Sequence, residues 1–161
     1  MMSSPETPPE PQLSAPCNIT AQLTGTALGC DLVFIPRVAR AYKRFGAPWL
    51  ARLFTTAERE YCLSPLLPES RQIERMASRI AVKEAVAKAL GLGVCGLGYT
   101  QGLRWQEVSY DANRALQFSH RLQQLAQAQG VLHWQVSVAH DGDYAMATVL
   151  AVPVGYGANH K

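Results

Sequence analysis

The segment Lys83-Glu84-Ala85-Val86-Ala87-Lys88-Ala89-Leu90 sets a carboxylate and an ammonium four residues apart. In a helix both project from one face. Far upstream, Asp31 in Gly29-Cys30-Asp31-Leu32-Val33 ends a short apolar run that predicts a strand. Two carboxylates on separate rigid elements suit a hard divalent cation such as Mg²⁺, and a neighbouring lysine offsets phosphate charge. The pattern points to chemistry on a phosphate ester or anhydride.

Each piece alone is ordinary. A Glu–Lys pair at i,i+4 is a common surface device worth about 0.2–0.5 kcal/mol, and an aspartate at a strand end can simply accept backbone hydrogen bonds. The setting adds weight, because Ala81, Ala85, Ala87 and Ala89 crowd the same segment and predict close packing. His140 closes the run Ser137-Val138-Ala139 and is a polar candidate beside a turn. Arg37, Arg40 and Arg44, at i, i+3 and i+7, form either a solvated helix face or a basic stripe for an acidic partner. The glycine-rich stretch 91–98 follows a helix instead of preceding one, so helix-dipole anion binding does not apply to it.

These side chains must be positioned by the elements around them. A strand is predicted over 27–35, then a helix over 36–45 with Pro36 in its first turn and Gly46 closing it. Thr55 and Glu58 form a capping box for a helix to residue 63. Pro65 and Pro68 mark a break, and the longest helix follows over 69–90, with Ile73, Met76, Ile80 and Val86 or Ala87 at core spacing and Gly91 and Gly93 ending it. Strands are expected over 103–109 and 115–118, then a helix over 120–129. Leu132, Trp134, Val136 and Val138 alternate with polar or small residues as in a half-buried strand. Asp141-Gly142-Asp143 turns that strand into a second one over 144–152.

The 161 residues suffice for one α+β domain, expected over 19–153, between a proline-rich disordered leader (1–18) and a flexible tail (154–161). Charged residues make up only 17% against 48% apolar, which favours self-association. The net charge of +3 permits an acidic partner without demanding nucleic acid. Cys17, Cys30, Cys62 and Cys95 lack metal or disulfide spacing and are expected as free thiols in a reducing cytoplasm. No signal peptide or membrane span is expected.

Taken together, Gly29-x-Asp31-Leu32-Val33, Arg52-Leu53-Phe54-Thr55-x-x-Glu58, Arg79-x-Ala81-Val82-Lys83-Glu84-Ala85-x-x-Lys88-Ala89, Val136-Ser137-Val138-Ala139-His140 and Tyr144-Ala145-x-Ala147-Thr148-Val149 resemble the holo-acyl-carrier-protein synthases of the 4′-phosphopantetheinyl transferases. The resemblance implies a small antiparallel sheet packed on a long helix, a homotrimer, and transfer of phosphopantetheine from coenzyme A to a serine of apo acyl carrier protein. It implies Asp31 and Glu84 as Mg²⁺ ligands, and Lys88 and His140 as catalytic or phosphate-binding groups. Arg79 and Lys83 become candidate coenzyme A contacts, and the Arg37/Arg40/Arg44 stripe a candidate docking surface for the carrier. The chain departs from the family pattern at Phe34, where many relatives carry glutamate, and at Asp111-Ala112-Asn113-Arg114, where a Gly-Lys-Pro turn is absent. The alternatives are a helix-turn-helix DNA-binding module, suggested by residues 85–91, and an inactive relative that only docks carrier proteins.

Overall fold

The structure is a computed structural model that describes residues 26–94 and 102–153; the leader, the tail and the second half of the glycine-rich stretch lie outside the described residues. The chain opens with β1 (Ala27–Phe34) and passes directly into α1 (Ile35–Leu53). Gly46 breaks this helix where expected, but a second helical segment follows it. At φ 58° and ψ −141° it kinks the chain, and the helix resumes through Pro48, whose fixed φ suits a first turn. Leu50 and Leu53 then bury the second segment against the core.

Thr55 caps α2 (Thr56–Cys62) through the predicted box, with Glu58 answering the Thr55 N–H at 2.9 Å. After the proline break comes α3 (Glu69–Ala89), the central helix, buried along most of its length. Gly91, at φ 66°, ends it in the left-handed region. The strand expected from 103 begins later. Trp105–Glu107 forms a 3-10 turn, closed by Glu107 accepting from the Arg104 N–H, and β2 is only Val108–Tyr110. No helix follows α3 before this turn among the described residues. The glycine-dense continuation after Gly91 also speaks against the helix-turn-helix alternative, which requires a recognition helix within a few residues.

The remaining elements are β3 (Leu116–Phe118), α4 (His120–Ala128), β4 (Val131–Asp141) and β5 (Tyr144–Pro153). β1, β5 and β4 form one antiparallel sheet in that order, and β2 pairs with β3. The sheet's inner face packs on α3, with Ala145, Ala147, Val149 and Ala151 buried. Along β4, Trp134, Val136 and Val138 are half-buried as their alternation predicts. Leu132 is exposed instead, because the β4–β5 register shifts between Val131 and His133. No described helix is long and apolar enough to cross a membrane.

Candidate active site

β1 and α3 approach closely enough to bring Asp31, Glu84 and Lys88 together. The Lys88 ammonium donates to Asp31 Oδ1 and to the Cys30 carbonyl, both at 2.8 Å. The Asp31 bond raises its pKa, with burial working against it. Glu84 stands beside Asp31. Burial and then the Asp31 charge hold its carboxyl above the usual range, with Lys88 and Arg37 pulling the other way. Asp31 is buried whereas the Lys88 side chain is 53% exposed, so the group opens toward solvent through its cation. Arg37, Arg40 and Arg44 are exposed on α1, which begins where β1 ends.

A second cluster lines a cavity of about 440 Å³ between α3, β4 and the β2–β3 connection. Arg71, Arg75, Arg79, Arg114, Ser78 and His140 face it, with Tyr61 and Tyr110 supplying ring surface. Arg79 was expected either at substrate or in solvent. It is buried, its guanidinium 4.1 Å from the Tyr61 ring centroid and 5.4 Å from that of Tyr110. One terminal nitrogen donates to the Asp111 carbonyl at 3.3 Å, and its Nε has no partner. A buried cation with an unmet donor, among other arginines, suits an anionic ligand. His140 Nε2 lies 2.6 Å from Ser78 Oγ.

Lys83 is not brought to either cluster. It is fully buried, and its ammonium donates to Glu58 Oε2 at 2.7 Å and to the carbonyls of Leu53 and Trp105, both at 2.8 Å. All three protons of the ammonium are thereby committed. Burial lowers the Lys83 pKa although Glu58 opposes the shift. Glu58, read from sequence only as a capping residue, also accepts from the Tyr110 N–H at 3.2 Å and so ties α2, α3 and β2 together. Burial pushes the thiol of Cys62 beside it up to about 11, which disfavours the reactive thiolate. Ser78, Tyr61 and Tyr110 carried no sequence signal. Arg75 could have been found, because it precedes Arg79 by one helical turn.

A profile of the 4′-phosphopantetheinyl transferase superfamily matches residues 27–149. The holo-[acyl-carrier-protein] synthase of Gloeobacter violaceus is 39% identical over 125 residues, covering 78% of this chain and 91% of its own. That of Chloroflexus aggregans is 40% identical over 131 residues, covering 76% and 92%. Among solved structures, a Chronobacterium ammoniagenes ACPS–CoA complex superposes with a TM-score of 0.61 at 30% identity, over 80% of this chain and 97% of that one. Helicobacter pylori holo-[acyl-carrier-protein] synthase in complex with coenzyme A gives 0.56 at 26% identity, over 76% and 96%. The matched span runs from the strand of Asp31 to the hairpin that follows His140, and on that continuous match the chain belongs to the holo-[acyl-carrier-protein] synthases of the 4′-phosphopantetheinyl transferase superfamily.

Proposed function

We propose that this protein transfers the 4′-phosphopantetheine arm of coenzyme A to a serine hydroxyl of apo acyl carrier protein, releasing adenosine 3′,5′-bisphosphate, and so supplies fatty acid synthesis in the cytoplasm. The observation that carries this reading is that α3 carries two clusters, the Asp31–Glu84 carboxylate pair with Lys88, suited to a cation and a phosphate, and the arginine-rich cavity, suited to an anion. From Ser78 in the cavity to Glu84 beside Asp31 is six residues, about 9 Å along the helix axis at ~1.5 Å per residue. Coenzyme A carries its pyrophosphate and its 3′-phosphate at separate points, and a ligand of that shape can span both clusters.

Asp31 and Glu84 fit a magnesium ion. They are hard oxygen donors on two rigid elements, crowded enough to raise the Glu84 carboxyl, and Mg²⁺ needs only one or two carboxylates when water and substrate phosphates complete its shell. When bound there, the ion would neutralise charge on the pyrophosphate. Lys88, held by Asp31 and half exposed, can turn one proton to a pyrophosphate oxygen. Arg79 and His140 hold the nucleotide's other phosphate and so keep the pantetheine-bearing phosphorus in line with the incoming serine. The carrier's serine oxygen forms the new P–O bond and gives up its proton to solvent, while the P–O bond to adenosine 3′,5′-bisphosphate breaks and its electron pair leaves with the bisphosphate.

Lys83 serves as a buried strut. The exposed Arg37, Arg40 and Arg44 lead away from Asp31 along α1 and form the docking stripe for the acidic carrier. The outer face of the sheet supports a homotrimer. Leu28 and Leu32 on β1 and Tyr144 and Met146 on β5 are exposed side by side, Leu32 directly opposite Met146, and an apolar face of this kind is covered most simply by further copies. Leu32→Asp is expected to dissociate the assembly in sedimentation; a monomeric wild type would contradict the trimer.

The activity is tested by incubating apo carrier protein with coenzyme A and this chain and following the carrier's intact mass. A phosphopantetheine gain supports the enzyme. Binding without gain would favour the inactive docking relative.

A further inference from the structure

Ser78 sits inside α3, only 3% exposed, and its hydroxyl makes two contacts. It donates to the Glu74 carbonyl at 2.8 Å, the back-bond of a helical serine to the residue four before it. A carbonyl cannot donate, so the one hydroxyl hydrogen is spent there. The 2.6 Å contact with His140 Nε2 therefore runs the other way, with Nε2–H donating to a lone pair of Ser78 Oγ. His140 makes no hydrogen bond through Nδ1 among the described residues, and its ring lines the arginine-rich cavity.

We infer that Ser78 is a positioning residue for His140: it fixes Nε2 as the protonated nitrogen and leaves Nδ1 as the ring nitrogen that meets the ligand. The neutral ring then offers the cavity an acceptor at Nδ1. A phosphate oxygen is met as a hydrogen-bond partner only when Nδ1 takes a second proton, which gives a charge-assisted bond of the stronger kind. The imidazolium so formed keeps its Nε2–H on Ser78, so the ring does not rotate as its charge changes. The ligand-facing half of the inference rests on the cavity holding the nucleotide's phosphate.

Ser78→Ala removes the acceptor at a helical position where alanine is favoured, so the fold is expected to survive. Long-range ¹H–¹⁵N spectra of the histidine rings, with His140→Gln identifying the resonance and the pH high enough for neutral rings, are expected to show His140 as the Nε2–H tautomer in the wild type. In Ser78→Ala a mixture is expected. The same variant should raise KM for coenzyme A about two- to tenfold, the cost of one misaligned hydrogen bond, with kcat changed less. An Nδ1–H tautomer in the wild type, or an unchanged tautomer in Ser78→Ala, would overturn the inference. A shifted tautomer with unchanged KM would overturn its ligand-facing half. Absence of any turnover by the wild type would count against the transferase reading and leave the tautomer result standing.

Discussion

Gly29 and Ala85 meet backbone to backbone: a Cβ on Gly29 would stand 1.8 Å from the Ala85 carbonyl oxygen and 2.7 Å from the Ala89 backbone nitrogen. Neither atom is the end of a flexible side chain, so the strand or the helix would have to move. The glycine before Asp31 and the alanines around Glu84 are thus one device, which sets the distance between the two carboxylates. Gly29→Ala is expected to destabilise the fold by about 3 kcal/mol or more, measured by urea unfolding, and to lose transfer activity even where it remains folded. Wild-type stability in this variant would mean that β1 and α3 are not in such contact.

Glu84 gives a pH-dependent prediction. Its folded pKa is raised by burial and by Asp31, so its contribution to stability is fully present below the unfolded carboxyl value and is lost as pH rises through the folded one. Glu84→Gln should therefore raise the Tm of the metal-free protein at pH 7.5. The gain should fade as pH falls through the raised folded value and be gone below about 4, where the unfolded carboxyl is also protonated. A destabilised Glu84→Gln at pH 7.5 would contradict the crowding of the two acids.

The Glu58–Lys83 pair predicts the opposite sign. Both side chains are almost wholly buried, and breaking such a pair leaves one charge uncompensated at a cost of about 3–5 kcal/mol. Lys83→Met should show this loss in chemical denaturation. Glu58→Gln combined with Lys83→Met should recover a large part of it, because no buried charge remains. Unchanged stability in the single variant would restore Lys83 to a surface or ligand role.

The proposed docking along α1 would rest on many weak contacts, since exposed ion pairs contribute only about 0–1 kcal/mol each. Reversing Arg37 and Arg40 to glutamate together should raise KM for the carrier several-fold and leave that for coenzyme A nearly unchanged. The wild-type rate should also fall with added salt. Carrier kinetics indifferent to both would move the docking surface off α1.

Much of the frame was legible from local rules. The Thr55–Glu58 box, the proline break before α3, Gly91 beyond its end and the Asp-Gly-Asp hairpin each follow from backbone requirements of a few residues; Glu84 and Lys88 share a face as their spacing predicts, and Asp31 meets them as the family resemblance implies. What local rules missed depends on partners distant in sequence. Gly46 looks like a stop, yet buried Leu50 and Leu53 carry the helix onward. Lys83 and Arg79 look like surface or substrate cations, yet Glu58, 25 residues before Lys83, and the ring of Tyr61 draw them inward. Ser78 is one small helical residue among many until β4 lays His140 across it, 62 positions away.

The transfer reaction itself tests the central claim most directly. Apo acyl carrier protein is incubated with coenzyme A and Mg²⁺ and either the wild type or Asp31→Ala, and the carrier's intact mass is recorded over time. The expected result is a phosphopantetheine gain with the wild type and none with Asp31→Ala, the variant's circular dichroism matching the wild type. No gain with the wild type would contradict the transferase reading, and a near-normal rate with Asp31→Ala would contradict the Asp31–Glu84 site at its centre.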